Sequence, residues 1–172
     1  WLRGRMPADD TVEMQVEGID AASGDVLVLA RPVGGRVGAR LWLDSAGFQA
    51  ERSADIRRDI WFKLWGNMTT NPVSALTRAA CDAILDDDLV RAFMARGMAE
   101  AAAIGAHIGC PIDQTPEARM NVTRQLGAFK TSMLVDAEHG RALELDALVG
   151  AVREIGARVG VATPSIDALP LN

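Results

Sequence analysis

The sequence predicts a mainly α protein, in which a short α/β segment over residues 1–52 precedes an all-α domain over residues 53–172. Alternation of apolar and polar residues with period two is confined to the beginning, as in Thr11-Val-Glu-Met-Gln-Val-Glu17. From Ser53 onward apolar residues recur at helical spacing, and helix-capping residues punctuate them.

Residues 11–17 read as a strand, and Asp25-Val-Leu-Val-Leu-Ala30, bounded by Gly24 and Pro32, reads as a second. Between Gly35 and Gly47, the residues Val37, Leu41, Leu43 and Ala46 sit at roughly helical spacing, with Gly47 as the stop. A short strand over Phe48 to Glu51 completes the segment.

Ser53 or Asp55 is placed to cap a helix whose apolar stripe is Ile56, Ile60, Leu64 and Met68. Pro72 predicts a break, with helix resuming over Ser74 to Ile84. Asp86-Asp-Asp88 puts negative charge at the start of a long Ala- and Met-rich helix through Ala106, ending at Gly109. Thr115-Pro-Glu117 opens another, to about Ala128, by the pattern of a cap followed by proline. Further helices are predicted after Thr131-Ser132, over Leu145 to Val159 with Gly160 at its end, and from Thr163-Pro164.

The 18 basic and 23 acidic residues leave a net charge of −5, and no window concentrates Lys or Arg, so no nucleic acid partner is expected. No apolar run is long enough for a membrane span and no signal-peptide pattern opens the chain, which predicts a soluble cytoplasmic protein. Cys81 and Cys110 lack metal or redox spacing and read as reduced core thiols, and His107 and His139 show no ligand pattern. No metal is predicted. Opening on Trp1 and stopping at Leu171-Asn172 just after a helical start, the sequence reads as part of a longer polypeptide.

The most informative segment is Trp61-Phe-Lys-Leu-Trp-Gly-Asn-Met-Thr-Thr-Asn-Pro72. On a helix, Lys63, Asn67 and Asn71 drift by only about 40° per step, so one cation and two carboxamides form a single polar stripe. Trp61 and Trp65 flank it. A stripe of this kind is either a solvated helix face or a face that holds a polar ligand.

Several pieces, in order, resemble the ketopantoate reductase family. They are Trp61-Phe-Lys63 with Asn67 and Asn71-Pro-Val-Ser-Ala-Leu76, Met98-Ala-Glu100, Lys130-Thr-Ser-Met-Leu-Val-Asp136, Gly140-Arg141, Glu144-Leu-Asp146, Gly150 and Gly160-Val-Ala-Thr-Pro164. The resemblance implies that residues 53–172 are the helical substrate-binding and catalytic domain. It also implies that residues 1–52 are the closing strands and helix of a Rossmann-type nucleotide-binding domain. The implied reaction reduces 2-dehydropantoate, a 2-keto acid, with NADPH, on the way to pantothenate and coenzyme A. The family's signature lysine falls on Lys63, its asparagines on Asn67 and Asn71, its serine on Ser132 and its glutamate on Glu144.

The residue chemistry is compatible with those roles. Hydride delivery to a ketone carbon develops negative charge on oxygen, which the Lys63 ammonium suits as general acid, with Glu144 holding that ammonium. Asn67 and Asn71 offer donors and acceptors to substrate oxygens, and Ser132, at an expected helix start, suits a carboxylate. Two departures stand beside the match. The fingerprint G-x-G-x-x-G is nowhere in the chain, and where pantoate-forming members carry a further substrate-binding Asn the sequence has Cys81 with Ala79, Ala80 and Asp82. The alternatives are a reductase of another 2-keto acid, and a non-catalytic all-α oligomerisation or interaction module. A homodimer is compatible with each of these readings.

Overall fold

The computed structural model describes residues 54–169 with their side chains and, before them, the backbone of three strands. By its contacts the chain divides into two compact units, Trp1–Ala54 and Asp55–Asn172.

In the first unit, β1 (Leu2–Arg5), β2 (Thr11–Ile19) and β3 (Val26–Pro32) form an antiparallel sheet in chain order. Leu2 faces Met14 across the first pair, and Val16 faces Val28 across the second. The β2–β3 register shifts between Val16 and Ile19, the mark of a bulge beside Gly18. The strands predicted from alternation over 11–17 and from the apolar run over 25–30 are present, each slightly longer than expected. β1 was not predicted, because Leu-Arg-Gly-Arg is too short to show a period. The helix expected over 35–47 and the strand over 48–51 lie outside the described residues.

The described part of the second unit is all α. Its first helix, α1 (Ile56–Thr77), is capped by Asp55, whose carboxylate accepts from the Arg57 N–H. The predicted break at Pro72 does not occur, and α1 runs straight through it. An interior proline costs on the order of 3 kcal/mol. Burial of large side chains such as Trp65 and Met68, each 1 % exposed or less, returns roughly 1.5–3 kcal/mol apiece. Packing therefore outweighs the proline. Thr70 and Thr77 hydroxyls donate to the carbonyls of Gly66 (3.0 Å) and Val73 (2.7 Å), tying the turns on either side.

The predicted continuation from Ser74 to Ile84 is instead broken at Arg78, which takes a left-handed conformation (φ 56°). Ser74 Oγ donates to the Ala79 carbonyl at 2.6 Å and closes that turn. The chain restarts as α2 (Cys81–Asp86), followed by α3 (Asp88–His107), whose cap Asp87 accepts from the N–H groups of Leu89 and Val90. Met94, Met98, Ala101 and Ile104 of α3 are fully buried and form the centre of the core with Trp61, Trp65, Met68 and Leu85.

Thr115 caps α4 (Pro116–Arg124), which stops short of the predicted Ala128 in a tight turn ending at Gly127 (φ 67°). The next helix, α5 (Ser132–Glu138), is capped by Thr131, not Ser132: the buried Thr131 hydroxyl accepts from the Leu134 N–H at 3.1 Å. The helix predicted over 145–159 has two parts, a π-helical turn (Asp146–Gly150) and then α6 (Ala151–Val159), stopped at Gly160. The last helix is α7 (Pro164–Asp167). Its first N–H groups, which have no partner within the helix, are satisfied from a distance by Glu100 of α3, whose carboxylate accepts from Ser165 (2.9 Å) and Ile166 (3.0 Å).

Candidate functional site

Helix α1 is the spine of the second unit, because α3, α5 and the π-helical turn all pack against it. Trp61 and Trp65 face inward, and the Trp65 indole donates to the Met98 carbonyl at 2.8 Å. That anchoring fixes the rotation of the helix. Lys63 and Asn67 are then half-buried along the side of α1, and Asn71 is buried at 9 % exposure.

None of these three side chains hydrogen-bonds to another described residue. A half-buried stripe with its hydrogen-bonding capacity unspent differs from a solvated face. The packing of Trp61 and Trp65 holds the helix that carries it in place.

Ser132 is exposed at the first position of α5, one residue past the cap. Glu144 is exposed two residues before the π-helical turn, and its backbone carbonyl accepts from Leu148 at 3.0 Å. Both elements pack on α1, so the residues predicted from sequence lie on neighbouring elements of one unit. A π-helical turn in such a position is a common feature of functional sites.

Sequence reasoning passed over Arg119 of α4. Its guanidinium crosses α1 at Gly66 and stacks over Phe62, with Cζ 5.4 Å from the ring centre. The contact is long-range and leaves no local pattern, the only hint being a glycine inside an otherwise well-filled helix.

Cys81, in the stretch the resemblance sets against the family's further asparagine, is buried and free, as is Cys110. Burial, with Asp82 adding repulsion, pushes the Cys81 thiol up to about 11. It is a neutral packing group at ordinary pH. Elsewhere a shallow hollow of about 700 Å³ is lined by Arg153, Thr163 and Asp167 and holds none of the predicted site residues. Its charges are matched internally, with Arg153 Nε 2.6 Å from Asp167. Among the described residues no cluster of His, Cys, Asp and Glu is arranged to hold a metal, and no helix is long and apolar enough to cross a membrane.

The described residues of the second unit form an all-α domain built around one long helix that carries the Lys-Asn-Asn stripe. The family model for the ketopantoate reductase PanE/ApbA C terminal matches residues 55–170, and the chain belongs to that family. A 2-dehydropantoate 2-reductase from Mesorhizobium japonicum is 47% identical over 124 residues, 72% of this chain and 38% of the relative. Another, from Nostoc, is 29% identical over 126 residues, 73% of this chain and 40% of the relative. The chain thus spans about two fifths of the length of the curated relatives it matches.

Among solved structures, a candidate ketopantoate reductase from Ralstonia solanacearum superposes with a TM-score of 0.73 at 64% identity, covering 77% of this chain and 40% of that one. A D-mandelate dehydrogenase in complex with NADH and anilino(oxo)acetate shares the fold, with a TM-score of 0.69 at 23% identity over 80% of this chain and 47% of its own.

Proposed function

We propose that this chain is the substrate-binding and catalytic part of a NADPH-dependent 2-keto acid reductase acting on 2-dehydropantoate. In this reading Lys63 is the general acid, Glu144 its partner, and Asn67, Asn71 and Ser132 hold the substrate. The observation that carries the reading is the unspent stripe on α1, half-buried yet bonded to no described residue, in a chain whose relatives are 2-dehydropantoate 2-reductases. An interaction module derived from the same fold has no use for a half-buried row of polar ends bonded to no described residue. Its natural interface, the Ala- and Met-rich stripe of α3, is consumed by the core of the unit itself.

NADPH, when bound, supplies a hydride to the keto carbon. No G-x-G-x-x-G occurs in the chain, and the described residues offer no phosphate-cradling loop, so the cofactor's own site is not assigned to them. We take residues 1–52 as the closing part of the nucleotide-binding domain.

This chain's residues act on the oxygen. As the carbonyl oxygen gains charge, the Lys63 ammonium stabilises it and passes a proton to it, and the lysine is recharged from solvent. A carboxylate beside that ammonium, the role given to Glu144, favours its charged form until the proton is needed. Asn67 and Asn71, one and two turns further along the helix, orient the substrate's remaining oxygens. Ser132 meets the carboxylate.

The test is steady-state NADPH oxidation with 2-dehydropantoate, in a polypeptide of the relatives' full length that carries this chain. Lys63→Ala is expected to lower kcat on the order of 10²-fold or more, because proton donation contributes roughly 10²–10⁴. NADPH binding should survive the change. A near-wild-type kcat in Lys63→Ala would refute the mechanism.

A further inference from the structure

The charges assigned so far do not balance. A 2-keto acid brings a permanent carboxylate, yet Lys63 is committed to the carbonyl oxygen and Ser132 carries no charge. The helix that begins at Ser132 has only seven residues, and its capping hydroxyl, that of Thr131, is already turned to Leu134. A carboxylate drawn from water into a partly enclosed site needs a fixed cation.

Arg119 is a cation of that kind. Its guanidinium lies against the stripe helix, where Gly66 falls between Phe62 and Lys63 around the helix circumference. It is half-buried, its Nε is sealed without a hydrogen-bond partner, and it enters no ion pair with a described carboxylate. Six other arginines, Arg57, Arg91, Arg124, Arg141, Arg153 and Arg158, do pair with acids. Stacking on Phe62 holds the guanidinium plane, and neither Nη1 nor Nη2 hydrogen-bonds to a described residue. A planar, pre-held pair of donors matches a carboxylate in two-point contact.

We propose that Arg119 binds the carboxylate of the 2-keto acid held along the α1 stripe, and that Gly66 is glycine so that the guanidinium can reach across. This rests on the reductase reading above. A Cβ at Gly66 would lie 2.7 Å from Arg119 Nε and 3.2 Å from Nη2, so any side chain there displaces the fork. Loss of the guanidinium and loss of the glycine should therefore weaken the same ligand.

The experiment titrates oxamate, an unreactive 2-keto acid mimic, into the full-length polypeptide saturated with NADP⁺. It measures the Kd of the parent, Arg119→Gln, Arg119→Lys and Gly66→Ala, each checked for an unchanged melting profile. Arg119→Gln should raise the oxamate Kd at least tenfold, with Arg119→Lys recovering part of the loss. Gly66→Ala, which keeps the guanidinium and improves helix propensity, should raise it several-fold. The Kd for NADP⁺ should not move. An oxamate Kd within twofold of the parent in Arg119→Gln overturns the proposal while the reductase reading stands. A weakened NADP⁺ with unchanged oxamate overturns it in favour of a cofactor phosphate contact. Failure of the parent to bind any 2-keto or 2-hydroxy acid overturns the reductase reading, and this proposal with it.

Discussion

Lys63 and Arg119 are two cations of different chemistry against one helix. A lysine ammonium is a compact donor that gives up its proton, which suits the oxygen where charge appears only in the transition state. A guanidinium stays charged, which suits a carboxylate charged throughout the reaction. The division predicts different kinetic signatures. Lys63→Ala falls in kcat, whereas Ser132→Ala, which loses a contact made equally in ground and transition states, should raise KM more than it lowers kcat. Steady-state curves with 2-dehydropantoate separate the two, and a Ser132→Ala enzyme whose loss is confined to kcat contradicts the assignment. Cys81 supplies a residue-scale expectation in stability. Because the folded state holds the thiol proton more tightly than the unfolded chain, its stabilisation is complete below the ordinary value of 9.0 and is lost as pH rises toward about 11. Cys81→Ser should flatten that alkaline decline in urea unfolding measured between pH 8 and 11.

At the scale of elements, local chemistry in the sequence located most of the helix ends. Asp55, one of two expected caps, and Thr115 cap where spacing predicts, Asp87 caps from within the acidic run expected to open α3, and Gly160 stops α6 with φ 73°. What could not be read locally depends on partners distant in sequence. Pro72 remains inside α1 because burial on α3 and α5 exceeds its cost. Thr131 and Ser132 are both capping residues one position apart, and only the fold shows which hydroxyl is turned inward. The same limit hid Arg119 and the capping of α7 by Glu100. The latter gives a stability prediction: Glu100→Ala leaves two N–H groups of α7 unpaired and should cost about 1–3 kcal/mol, with Glu100→Gln recovering part of it, read from urea midpoints. Two interior glycines, Gly66 of α1 and Gly105 of α3, should behave oppositely. At Gly105 a Cβ would meet Trp61 Nε1 at 2.3 Å and the Cys110 carbonyl oxygen at 2.5 Å, neither free to move, so Gly105→Ala should destabilise by roughly 1–3 kcal/mol. At Gly66 the obstacle is the far end of a flexible arginine, and the loss should appear in binding instead of folding.

For the whole molecule, one chain carries the groups that would act on the substrate oxygen and carboxylate but no dinucleotide fingerprint. Catalysis needs the hydride donor and the acid within one enclosed site, so binding and turnover should separate. The 172-residue chain by itself is expected to show no NADPH oxidation above the uncatalysed rate, whatever the 2-keto acid supplied. A polypeptide of the relatives' length that carries it should turn over, with kcat/KM highest for 2-dehydropantoate in a panel of branched and straight 2-keto acids. If the family's further asparagine corresponds to buried Cys81, as the resemblance implies, that bears directly on the ranking. A thiol of this kind cannot anchor a substrate hydroxyl as an amide does, so the preference for 2-dehydropantoate over an analogue lacking its terminal hydroxyl should be shallow. Introducing Cys81→Asn should steepen it. A full-length protein that binds NADPH yet reduces no member of the panel would point instead to the non-catalytic module, and turnover that favours another 2-keto acid would keep the mechanism while moving the substrate.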